Sequence, residues 1–214
     1  MRRFLVALVS LLFALADPAW AIAAPEAAAV APDQKADLAR ISAYLNGIQS
    51  LSAHFLQIGP DGKSVQGTLY LKKPGRLRFE YDKPSPLLVV ADGSTIAVEN
   101  TRLRTTDRYP LLNSPLRMIL SDKVDLASDS RIVRVSREPG ALSVTARQES
   151  GPAQGQITLT FADVNGALEL RHWEVVDAQG QHTIVVISNI QTGVDLAPRL
   201  FVVEDLSPFA HHQE

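Results

Sequence analysis

The chain has 214 residues, of which 46% are hydrophobic and 21% charged, with a formal net charge of −2 and no cysteine. This apolar content predicts a globular protein with enough residues for one sizeable core, and it excludes a largely disordered chain. The chain has no surplus of basic residues, so its charge does not indicate nucleic acid or anionic lipid as a partner. The absence of cysteine excludes disulfides, thiolate metal sites, a cysteine nucleophile and a lipidated N-terminal cysteine.

The N-terminal residues have the pattern of a secretion signal. Arg2 and Arg3 supply the positive start, an apolar run follows over Leu5–Ala16, and Ala19-Trp20-Ala21 is a small-x-small cleavage site. A membrane anchor is the alternative, but the run is shorter than the ~20 residues that span a bilayer. We therefore expect export and the following divisions: a signal peptide at 1–21, a flexible arm at 22–32, one domain at 33–208 and a tail at 209–214.

A helix is predicted at the start of the domain. Asp33 is of the residue type that caps helix N-termini, and Gly47 indicates an end nearby. Between and just beyond them, apolar residues recur at spacings of three and four, which places on one face Leu38, Ile41, Leu45 and Ile48.

From Leu51 onward the hydrophobic period changes to two, which is typical of half-buried strands. Hairpins are indicated by the tight-turn sequences Asp61-Gly62, Asp92-Gly93, Pro139-Gly140, Asn165-Gly166 and Gln179-Gly180. No strand–helix–strand rhythm occurs, so we predict an antiparallel sheet of about ten to eleven strands.

A short apolar segment, Tyr109–Val124, interrupts the strands. Ser114 followed by Pro115 predicts a helix start, and the apolar face of that short helix is made by Leu116, Ile119 and Leu120. One face of such a sheet must be covered, and the predicted helices are small for that purpose. Two interpretations stay open at this point: a strongly curled sheet with a packed core, or an apolar cavity that accepts a ligand.

The residues provide no set that indicates catalysis or metal binding. The histidines lack zinc-type spacing, the aspartates fall in turns, and none of the motifs G-x-S-x-G, P-loop or G-x-G-x-x-G occurs. The segment Arg102–Arg108 is interpreted as a polar strand edge and Trp173 as a packing residue. We therefore predict that the protein is not an enzyme and has no cofactor and no metal.

Five motifs, in this order, resemble a known family. They are Phe55-Leu56-Gln57 as a Phe-x-Gln sequence, Gly67-Thr68-Leu69 as a G-x-L strand, Lys73-Pro74 with Arg76-Leu77-Arg78-Phe79 as a basic-Pro turn and strand, Pro86–Gly93 as a P…I-V-x-D-G strand, and Ser114–Leu120 as a helical lid. Over about residues 35–206 the chain resembles the periplasmic outer-membrane lipoprotein carrier proteins, the LolA-like family.

The resemblance implies an open, incomplete antiparallel β-barrel, in which the N-terminal helix and the lid cover an apolar cavity for lipoprotein acyl chains. It implies a monomeric carrier that receives lipoproteins from an inner-membrane ABC transporter and delivers them to an outer-membrane receptor. Since that receptor is itself a lipoprotein and this chain has no cysteine, the resemblance favours the carrier. A carrier of another lipid or glycolipid with the same fold is the alternative.

The strand alternation and the lid together predict the lining of the cavity. The face is least determined for Leu88 and Val90, because residues 87–90 are apolar on both sides and a register shift of one residue exchanges the faces. The predicted lipid-binding residues are Phe55, Leu69, Leu71, Leu77, Phe79, Leu88, Val90, Ile96, Val98, Leu116, Ile119 and Leu120.

A latch for the lid is also implied by the resemblance. The best-known branch of the family has an arginine before the turn proline that bonds to the lid, whereas this chain has Lys73. Lysine lacks the planar fork of arginine. Lys73 is therefore expected to donate to lid carbonyls, with Arg78 as the next candidate.

Overall fold

The computed structural model describes residues 32–149 and 154–203. Two α-helices, α1 (Pro32–Gly47) and α2 (Arg117–Leu120), and two 3₁₀ turns, Leu111–Asn113 and Pro198–Phe201, accompany the strands. The eleven strands are β1 (Ser50–Ile58), β2 (Ser64–Lys72), β3 (Arg76–Tyr81), β4 (Leu87–Asp92), β5 (Thr95–Asn100), β6 (Thr105–Pro110), β7 (Ile132–Glu138), β8 (Ala141–Gln148), β9 (Gly155–Val164), β10 (Ala167–Asp177) and β11 (His182–Thr192). The predicted signal peptide, the tail and all but the last residue of the predicted arm lie outside the described residues.

All eleven strands form one antiparallel sheet, in the order β6-β5-β4-β3-β2-β1-β11-β10-β9-β8-β7. Most neighbours are consecutive hairpins, and the single exception, β1 with β11, joins the first strand to the last in the middle of the sheet. The two ends of the order, β6 and β7, stay unpaired with each other, so the sheet is not closed. The predicted open antiparallel architecture is confirmed.

Helix α1 packs on the β7–β10 half of the sheet. Its residues Leu38, Ile41 and Leu45 are buried, as are Leu159 and Phe161 on β9. Burying apolar side chains of this size is the main favourable term of such a contact.

Polar contacts hold α1 in place on the sheet. The Tyr44 hydroxyl accepts a hydrogen bond from the Leu170 amide at 3.0 Å. Arg40 Nη2 donates to Asp163 Oδ1 at 2.8 Å, and Arg137 of β7 donates to the buried Asp37. These contacts join α1 to three different strands of one half of the sheet.

The segment 111–131 connects the two edge strands, β6 and β7, and therefore runs from one side of the opening to the other. Its second part is fastened to α1. The Asn46 side chain donates to Val124 O at 2.9 Å and accepts from Val124 N at 2.8 Å, while Ser42 Oγ accepts from Leu126 N at 3.0 Å. Its first part, with Leu116 and α2, is the predicted lid.

Two helix starts differ from the expectation. Helix α1 begins at Pro32, so Asp33 lies in its first turn instead of capping it; proline fits a first helical position because its missing N–H has no partner there. Helix α2 begins at Arg117 and not at Pro115, although Ser114 Oγ still accepts from Leu116 N at 3.2 Å.

Within residues 32–149 and 154–203, no helix is long and apolar enough to cross a membrane.

Candidate lipid-binding cavity

A small apolar cavity lies between the end of α1, the lid and one face of the sheet, which we call the inner face. Its volume is about 20 Å³, which is room for about one water molecule. The sheet therefore curls around a packed core in which a small cavity remains, and the acceptance of a ligand by this cavity stays a prediction. The lining consists of Leu45, Ile48, Leu51, Leu69, Leu71, Lys73, Leu77, Leu116, Ile119, Leu120, Leu170, Trp173 and Ile187.

Half of the predicted lipid-binding residues line this cavity: Leu69, Leu71, Leu77, Leu116, Ile119 and Leu120. Four others are on the same inner face without lining it. Phe79 lies opposite Leu69 on β3, and Phe55 lies diagonal to Leu69 on β1. Ile96 and Val98 lie on β5, two strands beyond β3. Residues directly opposite each other in an antiparallel pair share a face, which is how the register places them.

The predicted position of Leu88 and Val90 on the inner face is wrong. Val90 lies opposite Arg78 and Leu88 opposite Glu80, so both point to the outer face, while Val89 and Ala91 take the inner positions. Strand β4 is apolar on both sides because its outer side is also covered, and alternation then carries no information on register.

The cover on the outer side of β4 is the chain after β11. Leu196 and Phe201 pack on Val90, which is completely buried, and Leu88 contacts the same cluster. Lys72 Nζ donates to Leu196 O at 2.9 Å. We call residues 194–203 the C-terminal strap.

An aromatic cluster borders the cavity. The rings of Phe55 and Phe79 meet edge to face with centroids 4.9 Å apart, and Tyr81 and Trp173 flank them at 5.1 Å from Phe55 and 6.2 Å from Phe79. Burial raises the pKa of Tyr81 to about 12, so its hydroxyl stays protonated and donates to Gln57 Oε1 at 2.8 Å. Trp173 is part of the cavity wall, which period two alone does not predict, since it does not identify what lies opposite a strand.

Lys73 is the charged residue of the cavity lining, and its predicted bond to the lid is wrong. Its Nζ donates to Leu45 O near the end of α1 at 2.8 Å, and its amide donates to Gln49 O at 2.8 Å. Carbonyls in the last turn of a helix have no partner within the helix and accept readily from a lysine. Burial lowers the pKa of Lys73, and the charge of Asp122 opposes this shift.

The lid is instead attached through backbone atoms. The Gly75 N–H, in the turn between β2 and β3, donates to Leu120 O at 2.9 Å. Gly75 has a φ of +73°, and a Cβ there would lie 2.7 Å from Gly93 Cα in the next turn. Only glycine allows these two turns and the end of α2 to meet so closely.

The second predicted latch, Arg78, also does not reach the lid. It lies on the outer face, where Nη1 donates to Leu200 O of the C-terminal strap at 3.2 Å and Nε donates to Glu80 at 3.3 Å. The prediction was wrong because Arg78 alternates with the inward residues Leu77 and Phe79.

Among the described residues, no group of three or more acidic or histidine side chains is placed to hold a metal ion.

Comparison with known sequences identifies the family of this apolar, lidded sheet. Residues 46–204 match the model of the family described as outer membrane lipoprotein carrier protein LolA. The chain belongs to the LolA family. The match begins in the last turn of α1 and includes all eleven strands, the lid and the C-terminal strap, so it covers every element that builds the cavity except most of α1.

Two relatives by sequence agree with this assignment. An outer-membrane lipoprotein carrier protein of Methylococcus capsulatus is 26% identical over 171 residues, which are 76% of this chain and 81% of that protein. A protein of the same description from Xylella fastidiosa is 30% identical over 166 residues, 72% of this chain and 76% of its own. The crystal structure of a LolA superfamily protein from Nitrosomonas europaea has a TM-score of 0.39 and 13% identity, covering 79% and 97% of the two chains. The predicted LolA-like family is confirmed, and with it a carrier that is not an enzyme.

Proposed function

We propose that the protein is a periplasmic carrier that binds the acyl chains of lipoproteins released from the inner membrane and delivers them to an outer-membrane receptor. The observation that carries the proposal is the apolar cavity, which is closed on one side by a lid with few attachments, in a chain of the LolA family. Relatives of this chain are described as outer-membrane lipoprotein carrier proteins.

Binding requires the lid to open. A cavity of about 20 Å³ is far too small for an acyl chain, so the described conformation is a closed one. Burying methylene groups contributes ~0.8 kcal/mol each, or about 12 kcal/mol for one long chain. Three chains would exceed the ~18–21 kcal/mol that limits useful affinity. Closure of the lid over the cavity opposes binding, and this opposition keeps the cargo releasable.

The proposal includes the route as well as the cargo. We propose that residues 1–21 direct export, that residues 33–208 act as one monomeric domain, and that the partners are an inner-membrane ABC transporter and an outer-membrane lipoprotein receptor. The inward residues of β1–β5 and the lid, Leu116 above all, would contact the acyl chains. Gly75 and Lys73 would hold the neighbouring turn against the lid and α1.

Mass spectrometry of what co-purifies with the protein from the periplasm tests the cargo. Triacylated lipoproteins bound to the wild-type protein, and lost from Leu116→Glu, support the proposal. Arg117→Glu, an exposed neighbour on α2, is the matched control and keeps the cargo. Free lipid or glycolipid without lipoprotein contradicts the proposal and favours the alternative carrier.

A further inference from the structure

One row of inner-face side chains runs across five strands from the cavity to an open edge of the sheet. Leu71 lies opposite Leu77, Leu77 opposite Ala91, Ala91 opposite Ile96, and Ile96 opposite Tyr109 on the edge strand β6. The first two residues line the cavity. Four strand spacings separate β2 from β6, about 19 Å, a distance comparable to a fully extended long acyl chain.

The row becomes exposed only where it reaches the edge. Ala91 and Ile96 are buried, whereas the Tyr109 side chain is 53% exposed and Leu112, three residues later, is 70% exposed. The neighbouring row changes in the same direction, from the buried Phe79 to the half-buried Val98. Two large apolar side chains that are exposed three residues apart, at the end of a buried row, indicate a surface that is covered when the protein is at work.

The other half of the inner face does not offer such a route. Helix α1 packs there, and Val144 and Leu159 are completely buried. The lid segment begins at Leu111, directly after β6. A long ligand that enters the cavity and lifts the lid therefore finds continuous apolar surface in one direction only, toward β6. Ala91 widens this path because its side chain is the smallest in the row.

We propose that the row Leu77–Ala91–Ile96–Tyr109 is the path along which an acyl chain lies across the strands. The chain leaves the sheet between Tyr109 and Leu112, so the polar, protein-bearing end of the lipoprotein emerges at the β6 edge. This inference rests on the proposed function and adds the direction in which the cargo is held. The occupant is an acyl chain because every side chain of the path as far as Ile96 is aliphatic and the path continues the apolar cavity.

Single cysteines test the path, since the chain has none of its own. Tyr109→Cys and Leu112→Cys are compared with Val133→Cys on the opposite edge strand, where the side chain is 50% exposed and so matches Tyr109. The rate of reaction with a water-soluble maleimide is measured with and without a synthetic triacylated lipopeptide. Co-elution of the lipopeptide with each variant in gel filtration reports binding independently.

The expected result is that the bound lipopeptide slows labelling at 109 and 112 by about tenfold and leaves 133 unchanged, because a covered thiol reacts only when the acyl chain moves away. Co-elution with undiminished labelling at 109 and 112 overturns the path and leaves the proposed function standing. A lipopeptide that does not co-elute contradicts the proposed function itself and the path with it. As a second measure, Tyr109→Glu weakens binding about tenfold, the loss of roughly two buried methylenes, while Val133→Glu does not.

Discussion

At the scale of single residues, the contact between Gly67 and Phe55 joins two of the sequence motifs beside the cavity. The two residues lie opposite each other on β2 and β1. A Cβ on Gly67 would lie 2.9 Å from Phe55 Cε1 and would also meet the Glu80 carbonyl. Glycine is therefore required so that the phenyl ring can lie over the strand beside Phe79.

Gly67→Ala is expected to lower the free energy of unfolding by about 2–3 kcal/mol, because the backbone carbonyl of Glu80 cannot move aside without breaking the sheet. Urea denaturation measures the change. Gly47→Ala is the control, since a Cβ at Gly47 would meet nothing within 4 Å and alanine at a helix end stabilises by up to about 1 kcal/mol. Equal effects of the two substitutions would contradict this explanation of the glycine.

Lys73, in the cavity lining, is expected to make the stability of the folded protein depend on pH in the alkaline range. Burial lowers its folded-state pKa below the usual 10.5, so in that window the unfolded chain binds a proton that the folded one does not. Stability contributed by this site therefore rises with pH between the lowered pKa and 10.5, and it is complete above 10.5.

Lys73→Leu is expected to remove that rise and to change stability little near pH 7, because the leucine loses one hydrogen bond but no longer buries an ammonium group. Unfolding midpoints across the alkaline range measure it. Lys35→Leu, at an exposed position of α1, is the control and should keep the wild-type slope. Parallel curves for the wild-type and Lys73→Leu proteins would refute the assignment.

At the scale of elements, the lid and the chain that follows it are attached to the rest of the molecule in different ways. The end of the lid is joined to the β2–β3 turn by the Gly75–Leu120 backbone bond, while the chain that follows is held to α1 by Asn46 and Ser42. The start of the lid makes one further backbone bond, from Leu111 N to Ser94 O at 2.8 Å. With one such bond at each end, the part between residues 111 and 120 is the part that we expect to move when cargo enters.

Leu116→Glu places a charge in the roof of the cavity and is expected to weaken lipopeptide binding at least tenfold, through lost apolar contact and the cost of burying a carboxylate. Leu116 is only half-buried, so the sheet should keep its wild-type circular dichroism and thermal midpoint. Binding measured by titration with the lipopeptide checks this. Retained affinity in a folded Leu116→Glu protein would mean that the lid does not contact cargo.

The C-terminal strap stabilises the outer face in the same way that α1 stabilises the inner one. Phe201→Ala is expected to lower the free energy of unfolding by about 3 kcal/mol, since it opens a cavity above Val90. Val202→Ala, where the side chain is 64% exposed, should change it by less than about 0.5 kcal/mol. Urea denaturation of the two variants distinguishes a packed strap from one that only lies on the surface.

At the scale of the whole molecule, the two halves of the sheet have different tasks. Helix α1 fills the β7–β10 half, and its ion pairs with the sheet hold this half together. In the described part of the chain, the inner face of the β2–β6 half lies beneath the lid and, near the cavity, beneath the end of α1, and it carries most of the predicted lipid-binding residues. A half that is packed under a helix and a half that lies under a lid would suit the proposed carrier.

The Arg40–Asp163 pair should make the β7–β10 half sensitive to acid. The hydrogen bond from Arg40 lowers the pKa of Asp163 below its usual 3.8. The stability that the Arg40–Asp163 pair adds is therefore fully present above pH 3.8, the usual pKa of an aspartate. It is lost as the pH falls through the lowered pKa of Asp163. Asp163→Asn is expected to be less stable than wild type near pH 7, and the difference should disappear as the pH falls through the lowered pKa. Glu169→Gln, in an exposed pair with Arg171, is the control, and a gap that persists in acid would contradict the pairing.

The sequence by itself determined the strands, the turns and the family, because these depend on local chemistry. Period two and glycine turns specify hairpins, and in the predicted Asn165-Gly166 turn both residues have the positive φ that a tight hairpin needs. The inner positions of β2 and β3 followed in the same way, since polar residues on their outer side made the alternation clear.

Only the tertiary structure decided what covers each face. Val90 and Val89 are both apolar, and the choice between them depends on the C-terminal strap, which is more than a hundred residues away along the chain. Lys73 bonds to α1 and not to the lid because the Leu45 carbonyl, which also accepts from Ile48 N at 3.3 Å, lies within reach of its Nζ. Contacts between distant segments leave no periodic pattern in a single sequence, since each partner satisfies its local rules equally well with or without the other.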